Sequence, residues 1–265
     1  MNPEIISSPQ NQNVQLMRSL ATQSKVRRKE QAFLAEGARL VEDGLRSGFV
    51  PRLVAYKGTI SQRASETLDF AWDVKKDTKS GFPILQIEDR LFDELTDTEA
   101  SQGIMAVFAI PELHLPEEPN FLLLLDQVRD PGNMGTVLRS AEAAGVQGVF
   151  LLPGTTDPWA PKVTRSAMGS HFRLPILSWG IEALEALLMD MRVFYADMDG
   201  EVNFWQADFK AKTALLIGGE AQGASATGLK LAQNTLRIPM AGGTESLNAA
   251  VSAALLMFEV ARQRQ

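Results

Sequence analysis

At 265 residues, with 45% hydrophobic and 22% charged side chains, the chain has room for two modest cores and the make-up of a globular protein. No apolar run reaches the ~18 to 20 residues that span a bilayer, and residues 1–10 lack the basic-then-apolar pattern of a secretory signal. Cysteine is absent, which excludes disulfides and thiolate zinc sites. A cytoplasmic protein without a membrane partner is the expectation. The net charge of −6 argues against nucleic acid, yet residues 1–60 carry nine Lys and Arg against five Asp and Glu, a local +4 excess able to meet phosphates.

In chain order, Val14, Met17 and Leu20 fall at helical spacing. The polar, basic stretch Ser24-Lys-Val-Arg-Arg-Lys-Glu30 follows. Leu40, Val41 and Leu45 mark a second amphipathic helix that Gly48 stops. Short β-type runs are expected at 52–56, 84–87 and 104–108, with helical stretches at 62–70 and 89–95. This half, residues 1–110, is a small α/β domain. Residues 111–120 hold three prolines and three glutamates and are expected to be a linker.

The second half, residues 121–265, opens on Phe121-Leu-Leu-Leu-Leu125, a run suited to a strand covered on both faces. Further strands are expected at 148–152, 192–196, 214–217 and 236–238, and helices at 134–144, 181–191 and 247–262. Such alternation means an α/β fold with a mostly parallel sheet, whose ligands bind beyond the carboxyl ends of the strands.

Three loops lie in those places. In Asp130-Pro-Gly-Asn-Met-Gly-Thr-Val-Leu-Arg139, Asn133 suits a helix cap. Arg139 lies one turn beyond the bare Gly135, leaning toward the helix start. A buried, pre-positioned guanidinium there suits a phosphate or a developing alkoxide; on this segment alone, a surface arginine on an amphipathic helix is the commoner case. Ile217-Gly-Gly-Glu-Ala-Gln-Gly223 lets a backbone approach a nucleoside closely. Glu220 occupies the central glycine of the dinucleotide fingerprint, and no phosphate-binding loop of Walker type exists. A plain glycine turn is the alternative. In Ile238-Pro-Met-Ala-Gly-Gly-Thr-Glu-Ser-Leu-Asn248, Ser246 is placed as the cap of a final, alanine-rich helix. Between the first two loops, Lys162 and Arg165 in Pro161-Lys-Val-Thr-Arg-Ser-Ala-Met-Gly169 could touch phosphate or be solvated helix charges. His114 and His171 are far apart without an acidic cluster, so no metal is expected.

In this order and placement, the three loops resemble the SpoU-type (TrmH-like) branch of the SPOUT superfamily of RNA methyltransferases. The first half more loosely resembles the ribosomal-protein-like substrate-binding domain often fused ahead of it, through Ser24-Lys-Val-Arg-Arg-Lys29 and Phe33-Leu-Ala-Glu-Gly-Ala-Arg-Leu40. The resemblance implies a deep trefoil knot in the second half, with S-adenosylmethionine bound in it largely by backbone groups. Position by position, it implies that Gly218, Ile238 and Leu247, with Gly219, Gly223 and Met240, line the cofactor site. It places Asn133, Arg139, Glu220, Ser246 and Asn248 in a polar reaction centre acting on a ribose 2′-hydroxyl. Arg139 is often assigned as the base in this family. An arginine stays protonated up to about pH 12, so phosphate anchoring and alkoxide stabilisation are its better-argued roles. Ala249-Ala250 departs from the Val-Ser of many relatives, a change of packing. The expected partners are RNA, ribosomal in preference to transfer, met by Arg27, Arg28, Lys29, Lys162 and Arg165, and a second copy of the chain docked through the second half. The rival readings are a catalytically inactive knotted RNA-binding protein and a different nucleotide enzyme such as a dehydrogenase. The complete polar set opposes the first, and the missing fingerprint opposes the second.

Overall fold

The structure, a computed structural model, describes residues 5–78, 81–96, 98, 100–220, 222–244 and 246–265. It divides into two compact units, Met1–Pro111 with Trp159–Phe172, and Glu112–Pro158 with Arg173–Gln265. The first division falls at the start of the expected linker, and 111–120 forms no helix or strand. That residues 159–172 cluster with the first unit was not expected.

The first unit runs β1 (Ile5–Ile6), α1 (Gln12–Thr22), α2 (Ser24–Glu30), β2 (Ala32–Glu36), α3 (Ala38–Arg46), β3 (Leu53–Lys57), α4 (Gln62–Asp77), β4 (Ile84–Ile87), α5 (Asp89–Asp93) and β5 (Ile104–Ala109). Its sheet has the order β1-β4-β3-β5-β2, with β5 antiparallel to β3 and β2 and the other pairs parallel. Along β2, Phe33 and Ala35 face one core with Val41 and Phe108. Ala32 and Leu34 face the other core with Met17, Leu20 and Phe92, as the period of two requires. Gly48 ends α3 as expected: its φ of 83° turns the chain so that the Phe49 N–H reaches back to the Gly44 carbonyl at 3.1 Å.

The second unit begins with β6 (Phe121–Asp126), α6 (Pro131–Ala143) and β7 (Gly148–Leu151). The chain then contributes α7 (Pro161–Ala167), packed on β2, to the first unit. It continues through β8 (Ile176–Leu177), α8 (Ile181–Leu188), β9 (Arg192–Ala196), β10 (Val202–Asn203), β11 (Thr213–Gly218), α9 (Ala226–Leu231), β12 (Asn234–Arg237) and α10 (Ala249–Gln263). Seven strands form one sheet of order β10-β12-β9-β11-β6-β7-β8, parallel at every pairing. Every residue of β6 is buried, which accounts for its unbroken leucine run. The inner strands β9, β11 and β6 therefore end side by side, and the loops that leave β6 and β11 meet there. Helix α10 packs on α6 and on β11. Among the described residues no helix is long and apolar enough to cross a membrane.

Candidate active site

Beyond the carboxyl ends of β9, β11 and β12 lies a cavity of about 1040 Å³. All six residues expected at the cofactor line it: Gly218, Gly219, Gly223, Ile238, Met240 and Leu247. Glu220, Ser246 and Asn248 line it too. Sequence reasoning missed Tyr195 and Asp197, which join the lining from the end of β9. The signal was their position at the carboxyl end of an expected strand.

The glycines are needed first by the chain itself. A Cβ on Gly218 would stand 2.5 Å from the Ala224 nitrogen, and one on Gly219 would stand 2.2 Å from the Gln127 carbonyl oxygen. Gly219 and Gly223 exchange backbone hydrogen bonds of 3.0 and 3.1 Å, closing the turn between them. Close approach does explain these glycines, but the nearest partner is backbone rather than ligand.

The polar centre is a directed chain of hydrogen bonds. Asn248, not Ser246, is the N-cap of α10, its Oδ1 accepting from Ala250 N at 2.9 Å and Val251 N at 3.3 Å. That bond fixes the amide, so Nδ2 donates to Asn133 Oδ1 at 2.9 Å. Asn133 Nδ2 in turn donates to Glu220 Oε1 at 2.7 Å. Asn133 is therefore not the cap of α6. Asp130 is, accepting from Asn133 N at 2.7 Å. The cap falls at 130 because Pro131, which has no N–H to satisfy, takes the first helical position. The outcome is that one residue from each of the three loops meets in a single chain.

Arg139 departs from its expected burial: it is exposed and is not part of the cavity lining. Of the expected RNA contacts, Arg27 is 5% exposed and donates to the carbonyls of Leu20 and Ala21 at the end of α1, because α2 turns that face inward. Arg165 is ion-paired at 2.6 Å with the buried Glu36, which also accepts from Thr96 and Thr98. Neither is a phosphate ligand in this arrangement. Arg28, Lys29 and Lys162 are exposed.

The lining matches the chemistry of S-adenosylmethionine. Ile217, Leu236, Ile238 and Leu247 give an apolar slot beside backbone groups, as an adenosine requires. Asp197 and Glu220 bring negative charge, favourable to a sulfonium and an ammonium and adverse to a diphosphate. Arg237 also lines the cavity, and its guanidinium donates to the Gly200 carbonyl at 3.1 Å.

Comparison with known proteins agrees with this geometry. The model of the SpoU rRNA Methylase family matches residues 120–258, and that of an MRM3-like substrate binding domain matches residues 11–106. A similar protein is the 23S rRNA (guanosine(2553)-2′-O)-methyltransferase RlmP of Bacillus subtilis, 33% identical over 96% of this chain and 98% of its own length. The human mitochondrial rRNA methyltransferase 3 is 32% identical over 89% of this chain and 69% of its own. Among solved structures, the SpoU methyltransferase AviRb of Streptomyces viridochromogenes with its cofactor AdoMet superposes with a TM-score of 0.82 at 30% identity, covering 96% of this chain and 98% of that one. The chain belongs to the SpoU rRNA methylase family and is an RNA methyltransferase.

Proposed function

We propose that this protein transfers the methyl group of S-adenosylmethionine to the 2′-hydroxyl of a ribose in ribosomal RNA. The observation that carries the reading is the Asn248–Asn133–Glu220 chain at the edge of a cavity with the right lining. The same complete chain speaks against an inactive RNA-binding relic. Bound there, S-adenosylmethionine supplies an electrophilic sulfonium methyl. The task left to the protein is alignment and help with the departing hydroxyl proton. The backbone at 218–223 and the apolar side chains of Ile238 and Leu247 hold the adenosine. Glu220 keeps one oxygen on Asn133 and has a second that receives the proton of the ribose hydroxyl, while Ser246 and Asn248 orient the ribose. Arg139, exposed on α6, meets the RNA as it arrives. Its fork binds a phosphate and stabilises the developing alkoxide, since a guanidinium does not give up its proton to act as a base.

In the first unit, the exposed Lys25, Arg28 and Lys29 of α2 supply RNA affinity by releasing counterions. The reading includes the trefoil knot implied by the family and a cytoplasmic site of action. It also includes a homodimer through α10. That helix presents Val251, Leu255 and Phe258 beside Trp205 along an apolar groove of about 560 Å³. Phe258 is 50% exposed and Trp205 62%, more apolar surface than a monomer needs to leave bare.

The test is to map alkali-resistant linkages in ribosomal RNA treated with the protein and S-adenosylmethionine. One new resistant linkage is expected. Methylation confined to bases, or none with any ribosomal RNA, would overturn the reading.

A further inference from the structure

Two side chains outside the polar centre hold successive amides of the glycine loop. The Ala224 N–H donates to the Tyr195 hydroxyl at 3.2 Å, and the Ser225 N–H donates to Asp126 Oδ2 at 2.6 Å. Tyr195 belongs to β9 and Asp126 ends β6, and these are the two strands that flank β11, from which the loop emerges. The loop is thus gripped from both sides of its own strand. Both groups are buried, Tyr195 at 7% exposure and Asp126 at 0%. A carboxyl group at 0% exposure, whose Oδ1 has no hydrogen-bond partner among the described residues, is costly to keep. The surroundings are cut to fit both groups. A Cβ on Gly223 would stand 2.6 Å from the Tyr195 hydroxyl, and one on Gly228 would stand 2.2 Å from Asp126 Oδ2. Neither side chain belongs to the Asn248–Asn133–Glu220 chain.

We infer that Tyr195 and Asp126 are positioning residues, a clamp that keeps the 218–225 loop in its cofactor-binding shape before the cofactor arrives. The inference rests on the reading that this loop holds S-adenosylmethionine. A loop that is competent only a fraction of the time binds its ligand weaker by that fraction. Releasing the clamp therefore raises the dissociation constant and KM for the cofactor. At Asp126, which lies outside the cavity lining, the rate at saturating cofactor is unchanged, because the occupied site is the same. Because both contacts hold the same closed loop, their losses compound: with one gone the loop is already mostly open, and losing the other lowers the competent fraction further by its own factor.

The experiment uses the full chain as wild type, Tyr195→Phe, Asp126→Ala, Asp126→Asn and the double variant Tyr195→Phe/Asp126→Ala. Tyr195→Phe keeps the ring and removes only the hydroxyl, so it preserves the cavity wall even if Asp126→Ala folds poorly. Calorimetry with S-adenosylmethionine is expected to show about tenfold weaker binding for Tyr195→Phe, as for one orphaned amide. Asp126→Asn, which retains an acceptor for Ser225, should bind better than Asp126→Ala, and the double variant should bind more weakly than either single one. The maximal rate of methyl transfer should stay within twofold of wild type for Asp126→Asn, whose side chain lies outside the cavity lining. Amide hydrogen exchange without any ligand is the independent arm, with Ala224 exchanging at least tenfold faster in Tyr195→Phe. Unchanged exchange at Ala224, or faster exchange with an unchanged dissociation constant, overturns the clamp. So does a fall in maximal rate at constant KM in Asp126→Asn, which would give Asp126 a part in the chemistry instead. If the wild type binds no S-adenosylmethionine yet exchange at Ala224 responds, the clamp stands and the cofactor reading fails.

Discussion

Replacing Asn133 by aspartate probes the polar centre more sharply than deleting the side chain. The isosteric change keeps an oxygen for the Asn248 amide but sets a second carboxylate oxygen where Nδ2 now donates to Glu220 at 2.7 Å. Two unit charges at that distance repel by about 1.5 kcal/mol even at the dielectric constant of water, the fitting limit for an exposed pair. Losing a hydrogen bond to a charged acceptor adds roughly as much. Together they oppose the present position of Glu220 by ~3 kcal/mol, a factor of about a hundred in the population of the aligned site. The pair can escape by sharing a proton, so its second ionisation, which would leave both carboxyls charged, moves upward. A group whose pKa is raised in the folded state favours that state at low pH and loses its contribution as pH rises through the raised value. The variant should thus come closer to wild-type behaviour at the acid end of a pH series and fall further behind as pH rises. Single-turnover methylation of ribosomal RNA across this series, with a cofactor titration beside it, makes the measurement. A rate within twofold of wild type at every pH, or a deficit that does not change with pH, would refute the reasoning.

Arg139→Ala and Arg139→Lys should both lower single-turnover methyl transfer by about a hundredfold, since lysine cannot present a planar fork, with calorimetry showing cofactor binding intact. Arg28→Ala/Lys29→Ala should weaken RNA binding and flatten its salt dependence. Arg27→Ala should instead lower the melting temperature, because its guanidinium holds the carbonyls of Leu20 and Ala21. Gly219→Ala should abolish cofactor binding in calorimetry, since its Cβ would meet the Gln127 carbonyl oxygen at 2.2 Å. Arg264 donates to Phe209 O, Asn120 Oδ1, Asn120 O and Ala211 O at 2.7 to 3.1 Å, so Arg264→Ala should cost about 2 to 3 kcal/mol in urea unfolding.

Which elements were legible in the sequence follows from what their side chains face. Strands β4 and β9 match their expected bounds, and β6 was read from its leucines because a strand covered on both faces has no polar residues to interrupt it. Strand β2 was missed: Ala32–Glu36 is buried throughout, but two alanines and a glutamate carry no β signal. The glutamate is there because Arg165, 129 residues further along, neutralises it, and no local pattern reports a partner so distant. Helix α2 was missed for a related reason. Its buried residue is an arginine, so a hydrophobic period has little to register, and the same burial removes Arg27 from the RNA surface. The return of residues 159–172 to the first unit leaves no local trace either, because the aromatic contacts of Phe33 with Trp159 and Phe172 join chain segments more than a hundred residues apart.

At the site, the residue types were legible and their jobs were not. Ser246 and Asn133 each look like caps by composition, yet the caps are Asn248 and Asp130. The difference lies in what each position must do besides capping. Residue 130 only accepts, from Asn133 N, so a carboxylate suffices there. Residue 248 must accept from the helix and donate to Asn133 on its other side, and residue 133 must accept from Asn248 and donate to Glu220. A carboxylate accepts but cannot donate, and a hydroxyl does both only through one atom, without the span. An amide separates acceptor from donor by the width of the group, so asparagine fits both 133 and 248. A carboxylate belongs only at the terminus of such a chain, where Glu220 is found. The direction of the chain is thereby set by the free N–H groups at the start of α10, and it delivers a defined orientation of Glu220 to the cavity. That is why two asparagines and a glutamate, each unremarkable alone and spread over three loops, form one device once the parallel strands bring those loops together.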